Sequence, residues 1–134
     1  MDRQPPVAHF LWRSEFYYVS MTSHISIRAS NARVRVRVGD TVVADSRETQ
    51  LLTEGNLPPR HYFPREDVAM KFLVASESIT HCPHKGDARY WSVNLDGGAL
   101  DDVVWSYEEP LAEMSPIAGL LSFYDELVTL EVED

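Results

Sequence analysis

Thirteen consecutive residues, His81-Cys82-Pro83-His84-Lys85-Gly86-Asp87-Ala88-Arg89-Tyr90-Trp91-Ser92-Val93, gather the only cysteine, one of two lysines and two aromatic side chains. Pro83 fixes its own φ and Gly86 admits left-handed backbone, so a tight bend is expected there, with Cys82 and Lys85 on an irregular connection. Loops of this kind, held by a rigid sheet, are where polar groups are commonly presented. Cys82 is a candidate nucleophile, its thiolate favoured by Lys85 and the flanking histidines. The competing reading is a small side chain packed beneath the bend, because free cysteine is among the most buried residue types. Lys85 is the stronger catalytic candidate: it can anchor an anion, act as a general base or form a Schiff base, unless it is simply a solvated loop lysine.

Around this bend, Tyr62, Tyr90 and Trp91 are candidate walls of a ligand cavity, with His61 and Arg65 as further binding residues and Arg65 placed to hold a carboxylate or phosphate at the rim. Strand aromatics more often build a core, and Trp105 and Tyr107 share both readings. His61, His81, Cys82 and His84 have zinc-ligand chemistry, but neighbours such as His81 and Cys82 diverge on extended chain, so no metal site and no cofactor is assigned.

The elements that would position these residues are mostly strands. Arg33, Arg35 and Arg37 alternate with Val34, Val36 and Val38 before Gly39-Asp40, and Thr41-Val42-Val43-Ala44 follows, which predicts a β-hairpin with a two-residue loop. That register sets Val36 opposite Val43 and Val34 opposite Asp45, turning Asp45 to the valine side. Thr49 to Thr53 and Arg60 to Phe63 read as short extended segments, and Pro64 to Asp67 as a single helical turn. Met70 to Ala75 reads as a central strand, apolar on both faces. Arg89–Leu95 and Ala99–Ser106 flank Asp96-Gly97-Gly98 as a second hairpin, Trp91 and Val93 sharing one face and Tyr90 and Ser92 the other. Ser115-Pro116 opens a short helix to about Ser122, and Leu127 to Val132 closes the sheet as an edge strand. The expectation is one small mostly-β domain over residues 21–134, with seven or eight short antiparallel strands curling into a barrel or two packed sheets and one short C-terminal helix. Residues 1–20, aromatic but patterned for neither helix nor strand, are expected to be an extension outside it.

Composition narrows the class. At 134 residues, 44% apolar and 25% charged, the chain has the make-up of a globular protein with a sizeable core. The net charge of −9 is unevenly spread, with six Arg against two acids in residues 1–39 and ten acids without Lys or Arg in residues 101–134. That balance argues against nucleic acid as a partner, because no cationic excess neutralises phosphates. A single cysteine excludes an intrachain disulfide framework, and no apolar run reaches membrane-spanning length, so a cytoplasmic protein with no membrane partner is expected. A homodimer through an edge strand is compatible with the pattern.

Taken together, V-V-A-D-S-R (42–47), Y-F-P-R-E-D-V (62–68), T-H-C-P-H-K-G (80–86), Y-W-S-V (90–93), V-W-S-Y (104–107) and P-I-A-G (116–119) resemble the family catalogued as domain of unknown function 427, over about residues 24–132. The resemblance implies a small, mostly-β, cytosolic domain with no generally established activity, and it maps the family's cysteine, proline, lysine and glycine onto Cys82, Pro83, Lys85 and Gly86. At the position of His84 the family more typically carries an aromatic residue. The nucleotidyltransferase-like label sometimes attached to the family gains no support here. Such chemistry needs two carboxylates aimed at one metal pair, whereas the adjacent Asp101 and Asp102 point to opposite faces of a strand. Two functions are therefore carried forward. One is small-molecule binding beside the Cys82–Lys85 bend, with acid–base or covalent chemistry open and enzyme status undecided. The other is a non-catalytic interaction module that uses the acidic C-terminal third.

Overall fold

The computed structural model describes residues 25–134, so the extension expected over residues 1–20 lies outside the described residues. Ten strands are described: β1 (Ile25–Ala29), β2 (Arg33–Val38), β3 (Thr41–Ser46), β4 (Gln50–Glu54), β5 (Arg60–Tyr62), β6 (Leu73–Cys82), β7 (Gly86–Leu95), β8 (Gly98–Ser106), β9 (Ser122–Phe123) and β10 (Thr129–Glu133). The fold is mostly β and antiparallel, as expected. Its strands form three sheets, in the orders β1-β4-β5, β10-β2-β3 and β6-β7-β8-β9, in place of a closed barrel or two sheets. The sheets are tied together at single points. Phe63 and Leu121 exchange backbone hydrogen bonds of 2.7 and 2.9 Å, and Ala69 N–H donates to Val43 O at 2.8 Å. Between the sheets lies a core in which Val34, Val36, Phe63, Trp105, Ile117 and Leu121 are all fully enclosed.

Several sequence expectations change in detail, each for a local reason. In the first hairpin a bulge between Val36 and Arg37 gives β3 one extra residue, so Val36 meets Ala44 and Val34 meets Ser46. Asp45 therefore lies on the arginine side, opposite Arg35, and forms an ion pair with Arg33 at 2.7 Å. The arginine row meets acids on its other flank as well, Arg37 reaching Glu131 at 3.1 Å on β10 and Arg35 pairing with Glu133. Opposite charges thus face one another across two strands, and this closes the sheet on the C-terminal edge strand.

The segment read as a central strand from Met70 to Ala75 is a 3-10 turn (Met70–Phe72) followed by β6, which pairs only with β7 among the described residues and leaves Val74 53% exposed. Apolar content on both faces reflected the turn's own packing here, not burial between two sheets. In the second hairpin the register shifts between Trp91 and Val93, with three residues of β8 opposed to one of β7, and Asp102 adopts φ 50° there. The shift breaks the alternation, so Tyr90 and Val93 are both buried in the core while Trp91 is half-buried and packs against it. The expected helix from Ser115 is a 3-10 segment at Ala112–Ile117. It ends at Gly119, whose φ of 73° suits glycine, and the chain is then extended as β9.

Candidate functional site

Lys85 occupies the turn that joins β6 to β7. Cys82 pairs with Gly86 across this turn, leaving Pro83, His84 and Lys85 as its three residues, and Lys85 N–H closes it on Cys82 O at 3.2 Å. Apart from the exposed Pro83, the turn is enclosed. Lys85 is 2% exposed and Cys82 1%, and His84 is buried beside them. Gly86 is what brings the turn in. Its φ of +113° is one that L side chains rarely adopt, and a Cβ there would stand 3.3 Å from Pro110 Cα. The segment 109–111 packs on that glycine, and Leu111 N–H donates to Lys85 O at 3.0 Å. Gly86→Ala is therefore expected to cost about 1–3 kcal/mol of stability in a denaturation experiment, through strain and displacement of that segment.

Within the core, the Lys85 ammonium donates to Glu54 Oε1 at 3.0 Å, with the Glu54 side chain 1% exposed. Leu52 and Glu54 are two apart on β4 and both face inward, so the same alternation that buries the leucine delivers the carboxylate to the lysine. Burial pushes the Glu54 carboxyl above its ordinary value, and this outweighs the pull of Lys85 in the other direction. The second carboxylate oxygen, Oε2, meets no hydrogen-bonding partner among the described residues, and neither does the buried Tyr107 hydroxyl. Tyr107 is within electrostatic reach of Tyr62, Cys82 and Tyr90, and burial raises its hydroxyl well above the usual phenol value. Tyr62, which also feels Glu54, is raised by burial in the same way and accepts a hydrogen bond from Trp105 Nε1 at 3.1 Å.

The site residues expected from sequence thus fall into three places. Lys85, Cys82, Tyr62 and Tyr90 all lie within the enclosed cluster. Arg65 and Trp91 lie together at the margin of the core, where the guanidinium sits 5.3 Å from the indole centroid and reaches Glu108 at 3.4 Å. His61 points away from both, its Nδ1 3.0 Å from Thr49 Oγ1, and burial with the nearby Arg28 lowers its pKa. His81 is mostly exposed and meets Asp87 at 2.7 Å. Among the described residues no three His, Cys, Asp or Glu side chains are grouped to hold a metal.

Two members of the cluster were not singled out as site residues by sequence reasoning. The one local signal for Glu54 is its phase with Leu52 on a strand. Tyr107 carries the pocket-lining and the core reading alike, with no local feature that separates the two. Outside the turn, an open groove of about 510 Å³ is lined by His81, Gly86, Asp87, Arg89, Glu108 and Leu111, among others. Half of the ten C-terminal acids form ion pairs within the chain. Besides the pairs on β10, Arg60 reaches Glu126 at 3.2 Å and Asp125 at 3.9 Å, while its guanidinium lies 5.4 Å from the Trp105 ring centroid.

Among the described residues no helix is long and apolar enough to cross a membrane. The family described as Domain of unknown function (DUF427) matches this chain over residues 26–134. A search of curated proteins gave no match.

Proposed function

The chain belongs to the DUF427 family, and we propose that it binds a small polar molecule at the enclosed cluster of Lys85, Glu54, Tyr62 and Tyr107. The carrying observation is the ion pair itself, sunk in the core with hydrogen-bonding capacity to spare. An ammonium has three donors and among the described residues makes one bond, to Glu54, while Glu54 Oε2 and the Tyr107 hydroxyl meet no partner there. Taking two charges out of water costs several kcal/mol per ion, and a packed hydrophobic pair in their place is often neutral or stabilising. Folding alone is a poor reason to keep them. Convergent, unsatisfied polar groups in an apolar surround are the usual make-up of a binding site.

The interaction-module reading has less support, since five of the ten acids on which it rests, Glu108, Asp125, Glu126, Glu131 and Glu133, are paired with Arg35, Arg37, Arg60 and Arg65. Ligand-observed NMR with a fragment set of small amides, alcohols, carboxylates and carbonyl compounds tests the proposal. Fragments should bind the wild type and lose binding to Lys85→Met/Glu54→Met, a pair replacement of similar volume. Equal binding to both proteins, or none to either, would remove the proposal.

A further inference from the structure

The turns of two hairpins, β2–β3 and β7–β8, lie together around an open groove of about 580 Å³, a volume usual for small-molecule sites. Val38, Phe72, Leu95 and Leu100 supply its apolar lining, and each of them is half-buried and packed against the core. Asp40 and Asp96 are the only charged side chains in the lining, both exposed, one from each turn. Neither forms an ion pair among the described residues. Lys71, next to Phe72 in the chain, holds its ammonium 5.2 Å from that ring's centroid and pairs with neither aspartate. The groove thus combines an apolar lining with negative charge that the described cations leave unneutralised.

We infer that this groove is a second binding site, beyond the Lys85 cluster and sharing no residue with it, and that it takes an organic ammonium ion carrying an apolar body. Burying the body against the four apolar side chains provides affinity, and the two aspartates select the sign of the charge. A carboxylate ligand of the same shape would meet like charges, and a neutral one would gain from burial alone. A bare metal ion would gain nothing from the apolar lining, and among the described residues no three His, Cys, Asp or Glu side chains are grouped to hold one. The ammonium belongs at the aspartates and not over Phe72, because that ring already has the Lys71 cation beside it. The turns themselves leave the space clear. Gly39, Gly97 and Gly98 also line the groove, and a Cβ on any of them would meet no atom within 4 Å.

The experiment uses three probes of one shape and different charge: 4-phenylbutylamine, 4-phenylbutan-1-ol and 4-phenylbutanoate. Each is titrated into the nitrogen-15-labelled full chain at low salt and followed by its amide shifts. The amine should bind with a Kd of roughly 0.1 mM and shift amides in the two turns that line the groove. The alcohol should bind there about tenfold more weakly, the scale of two exposed ion pairs, and the acid more weakly still. Asp40→Asn/Asp96→Asn should bring the amine to the affinity of the alcohol without altering the alcohol, and about 0.5 M salt should do the same to the wild type by screening. Gly97 lies outside the left-handed region and faces open space, so Gly97→Phe should keep the fold, checked by its amide spectrum, and bind neither amine nor alcohol. Equal affinity for amine and alcohol, shifts centred elsewhere, or no binding of the amine up to about ten times that Kd would overturn the inference. Lys85→Met/Glu54→Met, which leaves the groove untouched, should bind the amine as the wild type does. Loss of the amine from that variant with its fold intact would assign the amine to the enclosed cluster and remove the second site.

Discussion

Lys85→Met is expected to lower the stability of the domain by about 3–5 kcal/mol, since it leaves the Glu54 carboxylate enclosed with no cation beside it. For a domain of this size that corresponds to a fall in Tm of roughly 10–25 °C. The double replacement Lys85→Met/Glu54→Met removes both charges together and should recover most of the loss, or exceed the wild type, because the desolvation penalty disappears along with the attraction. Thermal and urea denaturation of the wild type, the two single variants and the double variant close the cycle. A Lys85→Met variant melting within about 3 °C of wild type would mean that the pair is not enclosed as described. A double variant as unstable as the single one would mean that the ions themselves hold the turn in place. The cycle also separates folding from function, since the proposal requires the double variant to be stable and unable to bind.

Trp105→Ala should cost a similar amount, about 3–5 kcal/mol, which is usual for emptying a fully enclosed aromatic position. Trp105 is joined to three neighbours by different forces. Its Nε1–H donates to the Tyr62 hydroxyl, Tyr124 packs at a 4.6 Å centroid distance, and Arg60 lies over its ring. Trp105→Phe keeps a ring in place but removes the hydrogen-bond donor, and about 1–3 kcal/mol is expected for this milder change. Because Arg60 and Trp105 are in contact, Arg60→Met combined with Trp105→Ala should cost less than the sum of the two single changes. Additive costs would show that the stacked guanidinium contributes nothing through the ring. A Trp105→Ala variant within about 1 kcal/mol of wild type would contradict the packing at the centre of the core.

Much of the fold was legible in the chain because alternation is a direct record of which face is buried. The run from Arg33 to Val38 reports a half-buried strand, and Gly39-Asp40 reports the turn after it. The position of the bulge was not legible. Nothing in Thr41-Val42-Val43-Ala44-Asp45 says which residue is the extra one, and a single insertion moves Asp45 from the valine side to Arg33. The burial of Tyr90 and Val93 together is not legible for the same reason, since the irregularity lies in β8, on the partner strand, and not in the local sequence.

The bend carrying Lys85 was recognisable from Pro83 and Gly86, which are chemically unambiguous. Its burial was not, because burial comes from the segment 109–111 folding back on Gly86, a long-range contact that no local pattern encodes. Glu54 escaped notice because a charged residue at a strand end is ordinarily solvated. Its inward phase with Leu52 becomes informative only once a buried cation is known to be waiting for it.

The account turns on whether the enclosed cluster holds something besides its own side chains, and a crystal structure near 1.2 Å of the protein purified without added ligand addresses this directly. The expected result is ordered density, a small molecule or water standing in for one, within hydrogen-bonding distance of both Lys85 Nζ and Glu54 Oε2. Side chains packed against one another there, with both groups satisfied by neighbouring protein atoms, would contradict the proposed site.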